Sequence, residues 1–327
     1  MMRRLFIVLA AAMILLSACA PGGGEASTSA PTTSSAGAEQ SAQGTCTFTD
    51  SLGNTVALEQ PPKRVAALLG SYAETWLLAG GEVVAVTQDA YDERGLELPE
   101  DTVNLGANQQ PDLEALFAAE PDLVLLTPDL DGQMGLRDSL EAAGIPAAWF
   151  KVETFDDYLN MLKICTDLTG RSDLYQKNGL DIQSEIDAAI ASVPEGEAPT
   201  VLLLRAYSSG VRAKNSDNIA GAILKDLGAA NIADSDSGLL EDLQMESILA
   251  ADPEFIFVTT MGASQEAALE SLDELLHSDP AWQTLTAVKE DRVEVLPKDL
   301  FHYKPNARWG ESYQMLAELM YGSGETA

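Results

Sequence analysis

Basic side chains are scarce in this sequence of 327 residues. Only 19 are Lys or Arg against 51 Asp or Glu, a formal charge of −32. Cations that gather without acids therefore stand out. Residues 200–216 hold Arg205, Arg212 and Lys214 and no acid, and residues 302–310 hold Lys304 and Arg308 with Tyr303 and Trp309, again with no acid. Cations beside aromatic rings can hold an anionic, partly aromatic guest through charge-assisted hydrogen bonds and ring-face contacts. The competing reading is scattered surface charge. Signatures of bond-making chemistry are missing. The stretch closest to a nucleophile elbow, Gly70-Ser71-Tyr72-Ala73-Glu74, has its serine one place early and lacks the second glycine. There is no phosphate loop, no His-Glu-x-x-His and no Gly-x-Gly-x-x-Gly. The two histidines, His277 and His302, exclude a His-rich metal site, and no metal ligands are assigned. Carboxylates are so plentiful that a pair of them singles nothing out. So acidic a chain repels phosphate backbones, which argues against nucleic acid as a partner.

Short apolar runs alternating with helical periodicity must position these residues. Runs at 64–69, 83–87, 123–127 and 147–150 read as strands, as do 201–204, 255–259 and 293–296, with helical patterns between them. The alternation predicts an α/β fold with parallel sheets. Ahead of it, 46–49 and 55–58 flank a Gly-containing turn and read as a hairpin. In open α/β lobes, ligands sit beyond the carboxyl ends of the strands. That rule selects Ser71 and Tyr72, then Gln88, Asp89 and Tyr91, then Pro128 and Asp129. Further along it selects Tyr207 and Ser208, Met261 and Gly262, and 298–304. With the cation-rich stretches, the candidate binding residues are Ser71, Tyr72, Gln88, Asp89, Tyr91, Tyr207, Arg212, Lys214, Tyr303, Lys304, Arg308 and Trp309.

An internal repeat organises the chain. Residues 113–127 and 245–259 match at a constant offset of 132: Glu114 with Glu246, Ala118-Ala119 with Ala250-Ala251, Pro121 with Pro253, Thr127 with Thr259. Each copy reads as a short helix, a stopping proline and a buried strand, so two lobes of related build are expected. Between them, 155–193 is helical throughout. Its second part, from Leu174 to Val193, is either a rod of about 30 Å crossing from lobe to lobe or an ordinary surface helix. The predicted segments are 1–18, 19–45, 46–154, 155–193 and 194–327. The first has the basic start, apolar core and small residues of a secretory signal, and is too short for a comfortable membrane span. Residues 21–45 read as a flexible tether. After export, Cys46 and Cys165 either pair or remain two thiols.

Several of these pieces resemble the iron-complex and vitamin B12 class of ABC-transporter substrate-binding lipoproteins. They are Pro62-Lys63-Arg64-Val65-Ala66-Ala67-Leu68 followed by Glu74, then Asn104-Leu105-Gly106, then Pro111 to Leu116 with Glu120-Pro121-Asp122-Leu123-Val124. Leu16-Ser17-Ala18-Cys19 resembles a lipobox, which implies lipidation at Cys19; a plain secretory signal is the alternative. The resemblance spans about 48–320. It implies two Rossmann-like lobes joined by one long helix, a ligand held between them, and an extracytoplasmic, lipid-anchored, monomeric protein. It further implies an ABC permease dimer as partner, docked through Glu114 and Glu246. The expected function is capture of an iron chelate, siderophore or haem-like, as cargo rather than cofactor, with no enzymatic activity. Cobalamin is the alternative cargo, and an exported lipoprotein hydrolase with an unrecognised site the alternative of another class.

Overall fold

The computed structural model describes residues 45–322 apart from 197 and 263. The predicted signal, Cys19 and nearly all of the tether lie outside the described residues. Strands β1 (Cys46–Thr49) and β2 (Thr55–Leu58) form the antiparallel hairpin, with Cys46 opposite Leu58. Asp50 closes its turn by accepting from the backbone N–H groups of Leu52 at 3.0 Å and Asn54 at 2.8 Å, and also takes the N–H of Trp149 at 3.2 Å. One carboxylate thus shapes the turn and fastens it to the sheet that follows.

That sheet is wholly parallel, in the order β5-β4-β3-β6-β7, built from β3 (Val65–Ala67), β4 (Val83–Val86), β5 (Val103–Asn104), β6 (Leu123–Leu126) and β7 (Ala147–Trp149). The second sheet runs β10-β8-β11-β12, with β8 (Thr200–Tyr207), β10 (Ala230–Asn231), β11 (Phe255–Thr260) and β12 (Val293–Val295). Its ladders are parallel, except that β9 (Gly210–Ala213) folds back antiparallel onto β8. Every residue of β6 and β11 is buried. Strands covered on both faces are expected to be continuously apolar rather than alternating, and these two are the strands of the internal repeat. The helix of each repeat is followed by an acidic residue in the left-handed region, Glu120 (φ 46°) and Asp252 (φ 41°), one place before the matching prolines.

The segment between the lobes contains helix Phe155–Thr169, which opens on a capping box made by Thr154 and Asp157 and stops at left-handed Gly170. A second helical run follows without a break: Ser172–Tyr175, a π-helical stretch Gln176–Leu180, and Asp181–Ala191. Its first end is fastened to the first lobe, since Asn178 donates its side-chain N–H to the Leu78 carbonyl at 2.8 Å and its own carbonyl accepts from the Tyr158 hydroxyl at 2.9 Å. Its second end lies against the final helix, Trp309–Tyr321. A Cβ at Gly310 would fall 2.8 Å from the Cβ of Glu185, so only glycine permits that approach.

The outer face of each sheet packs its own apolar cluster. The largest core is shared between lobes. It joins Val65, Ala67, Leu123 and Leu125 of the first sheet to Val201, Leu203, Phe255 and Phe257 of the second, through Tyr158, Leu162, Ile182, Ile186, Trp309 and Tyr313 of the helices. Cys165 lies wholly buried in this core as a free thiol, its pKa pushed up to about 12 by burial. The Cys46–Cys165 disulfide considered from the sequence is therefore not formed: Cys165 faces the helical core, while Cys46 starts the hairpin at the core's edge.

Candidate functional site

A cavity of about 670 Å³ opens where the carboxyl ends of the two sheets face each other. From the first lobe it is lined by Leu69 and Ser71 after β3, 88–94 in part after β4, 107–109 after β5, and Thr127, Asp129 and Leu130 after β6. The second lobe contributes Met261 and Gly262 after β11, and Lys298, His302, Tyr303 and Lys304 after β12. Strand ends expose unpaired backbone groups on loops free to vary, which is why such crevices collect ligand contacts.

The first-lobe wall is held by buried hydrogen bonds. Asp89 accepts from the Gly70 N–H at 2.7 Å and the Thr87 hydroxyl at 2.5 Å, linking the ends of β3 and β4. Gln133 is fully buried; its Oε1 accepts from the Thr127 N–H at 2.9 Å, while its Nε2 donates to the carbonyls of Leu68 at 2.5 Å and Asn108 at 3.0 Å. Gln88 accepts from Asn104 and donates to Asp92. Arg94 is ion-paired with Glu74.

On the second-lobe wall, the Lys298 ammonium donates to the Gly262 carbonyl at 2.8 Å and lies over the Tyr303 ring. Lys304 crosses to the first lobe, with its ammonium 5.8 Å from the Tyr72 ring centroid. Burial lowers the Lys304 pKa, opposed by Asp129 and Glu153. His302 is pushed down to about 4 by burial and by Arg205, Lys298 and Lys304, so its imidazole is neutral at pH 7. Tyr303 is pushed up to about 12 by burial and the neighbouring Glu93 carboxylate. Below the cavity, Asn306 of the second lobe donates to the Ser71 carbonyl at 2.9 Å and to Glu74 at 2.7 Å.

A family profile described as "Periplasmic binding protein" matches residues 65–300. The chain belongs to this family. Fe(3+) dicitrate-binding periplasmic protein FecB of Escherichia coli K12 is 27% identical over 256 residues, 76% of this chain and 80% of FecB. Fe(3+)-citrate-binding protein YfmC of Bacillus subtilis 168 is 22% identical over 243 residues, 73% of this chain and 74% of YfmC. Among solved structures, Staphylococcus aureus SirA complexed with staphyloferrin B superimposes with a TM-score of 0.64 at 21% identity, over 84% of this chain and 97% of SirA. The two parallel-sheet lobes and the helical link are thus those of a periplasmic binding protein.

In this binding protein the sequence-derived candidates are not all gathered at one place. Ser71, Gln88, Asp89, Tyr303 and Lys304 line the cavity, as do Asp129, Met261 and Gly262. Tyr72 does not reach it: the ring is buried and its hydroxyl donates to the Phe150 carbonyl at 2.5 Å. Tyr91 packs at the edge of the shared core. Tyr207 and Arg212 line a separate hollow of about 210 Å³ with residues 239–243. The cause is the β8–β9 hairpin, which turns the chain back at the strand end where a parallel strand would have led into the crevice. Lys214 is half-buried behind that hairpin, its pKa lowered by burial and Arg205. Arg308 lies outside the cavity, ion-paired to Asp299 at 2.5 Å and Glu311 at 2.7 Å. Trp309 is fully buried, edge-on to Phe155 at 6.1 Å.

Asp92, Glu93, Arg94, Asn108 and Gln109 escaped notice in the sequence. The available signal was the length of the loops after β4 and β5, which carry their polar residues past the first two or three positions. Glu114 and Glu246 are exposed in the first turns of the matching helices Leu113–Ala118 and Met245–Ala251. Among the described residues no helix is long and apolar enough to cross a membrane.

Proposed function

We propose that this protein is the substrate-binding component of an ABC importer, capturing a ferric chelate between its lobes and delivering it unaltered to a membrane permease. The observation that carries the reading is the cavity at the facing carboxyl ends of both sheets, in a family member whose relatives are named for binding ferric citrate. Its volume lies within the range of small-molecule sites. The Asp89 carboxylate and the Gln133 amide are committed to the backbone frame, as suits a rigid receptor. A lipid on Cys19 would keep the body near the permease at the outer face of the membrane.

Docking on the permease is assigned to Glu114 and Glu246. In support, each glutamate has an exposed apolar residue three positions on, Phe117 (36% exposed) and Leu249 (39%), related by the same offset of 132. Residues three apart share a helix face. Two equivalent patches of one carboxylate and one apolar side chain suit a dimeric partner with two equivalent cationic sockets. The test uses the double variant Glu114→Arg with Glu246→Arg. Ferric-chelate affinity, measured by calorimetry, should be unchanged while uptake of labelled iron in cells is lost. Undiminished uptake would overturn the docking assignment, and failure of every ferric chelate to bind would overturn the proposal as a whole.

A further inference from the structure

Two cations that line the cavity, Arg94 and Lys304, have hydrogen-bond donors that the protein leaves unengaged. Asp89 takes the Gly70 N–H on its side chain and the Arg94 N–H on its carbonyl at 3.2 Å, which brings the loop after β4 against the start of helix Gly70–Leu78. Glu74, one turn into that helix, meets the guanidinium there. One carboxylate oxygen of Glu74 accepts both from Arg94 Nη2 and from the Asn306 amide of the second lobe. The Arg94 side chain is 7% exposed, yet its Nε and Nη1 make no hydrogen bond among the described residues.

Lys304 lies two residues before Asn306 on the same second-lobe stretch, and its ammonium reaches the first lobe over the Tyr72 ring. The Tyr72 hydroxyl is committed to the Phe150 carbonyl, so the ring offers the ammonium its face alone. Among the described residues the ammonium has no hydrogen bond and no ion pair; Asp129 and Glu153 act on it from farther off. Arg94 stands near enough to lower its proton affinity, so the two cations share one neighbourhood.

The carboxylates of the cavity are in the opposite condition, each already supplied with a donor. Asp89 has the Gly70 N–H and the Thr87 hydroxyl, Asp92 the Gln88 amide, and Asp129 the Thr127 hydroxyl. Glu93 has Tyr303, with Lys298 and Arg94 nearby. What the lining calls for is acceptors. A guest that fills the cavity strips water from the free N–H groups of Arg94 and Lys304, and a donor left unpaired there costs affinity. Ionised oxygen atoms match such donors best.

Resting on the reading of this cavity as a ferric-chelate site, we infer that Arg94 and Lys304 together grip one ionised oxygen group of the chelate, a carboxylate or an oxygen bound to the iron. The contact joins a first-lobe residue to a second-lobe one beside the point where Glu74 and Asn306 already tie the lobes. The group that orients the cargo therefore also holds both lobes on it.

Calorimetric titration of the full chain tests this with two probes: ferric dicitrate, which carries ionised carboxylates, and the ferric complex of N-acetylated desferrioxamine B, which is neutral. Dicitrate should bind about tenfold or more tighter than the neutral chelate. Arg94→Gln and Lys304→Gln should each weaken dicitrate about tenfold or more, the size of one charge-assisted contact, and move the neutral chelate by less than about threefold. Because the group is shared, the double variant should lose less than the product of the two single losses. Where Arg94→Gln lowers the melting temperature, Arg94→Gln with Glu74→Gln, which leaves no bare carboxylate, takes its place. Unchanged dicitrate binding in the variants, equal weakening of both chelates, fully multiplicative losses, or a neutral chelate bound as tightly as dicitrate each overturns the shared grip and leaves the chelate receptor standing. Failure of both probes overturns the inference as well, and failure of every ferric chelate overturns the function with it.

Discussion

Asn306 ties the two lobes together at a single point. It is 1% exposed, takes a left-handed φ of 53°, and donates to the Ser71 carbonyl and the Glu74 carboxylate of the opposite lobe. Asparagine tolerates that backbone region better than other side chains with a Cβ. Glu74 in turn pairs with Arg94, so one second-lobe amide supports a carboxylate that also holds a cavity residue. Asn306→Ala should cost about 2–4 kcal/mol, combining lost hydrogen bonds to buried partners with backbone strain. Asn306→Gly keeps the hydrogen-bond loss and removes the strain, so it should be the milder change. Urea unfolding of both variants checks this, and an alanine variant as stable as the parent would show that the interlobe bonds contribute nothing.

At the level of elements, the cavity depends on one short helix, Asp131–Met134, which follows β6. Its Gln133 satisfies backbone groups from the ends of β3 and β6 and from the loop after β5. Such a side chain replaces the ladder bonds that diverging strands can no longer give one another. The neighbouring Gly132 is equally constrained, because a Cβ there would lie 1.7 Å from the Gln109 carbonyl oxygen. Gln133→Leu keeps the size and takes this partner from two buried backbone groups, the Thr127 N–H and the Leu68 carbonyl, and from the part-buried Asn108 carbonyl. Stability should fall by about 3 kcal/mol or more, and chelate affinity should weaken because 107–109 is no longer held against the cavity. A melting temperature within about 2 °C of the parent, the effect of only about 1 kcal/mol in a chain of this size, would contradict this role.

For the whole molecule, the shared core sets how far the lobes can part. The helical link is fixed to the first lobe at Asn178 and lies along the final helix at Gly310, and apolar side chains from both sheets meet between them. Opening the crevice widely would tear that core and expose its aromatic residues, at a cost no small ligand could offset. Motion should therefore be a small hinge rotation. Solution scattering with and without bound chelate should give radii of gyration differing by less than about 1 Å, whereas wide hinge closure of a body with a radius of gyration of about 19 Å would change it by more.

The sequence by itself determined the lobes, because burial on both faces of a parallel sheet demands continuous apolar runs, and because β6 and β11 carry the same helix, stop and strand in both copies. It also located part of the crevice, since strand ends place Ser71, Gln88, Asp89, Tyr303 and Lys304 by local connectivity alone. It did not reveal where Arg212 and Arg308 go. Arg308 found acids three and nine residues away, Arg212 was turned aside by a hairpin, and Trp309 entered a core assembled from both lobes. Those outcomes were decided by tertiary structure, because a charge or ring settles against partners that folding brings near it, and those partners come from distant parts of the chain.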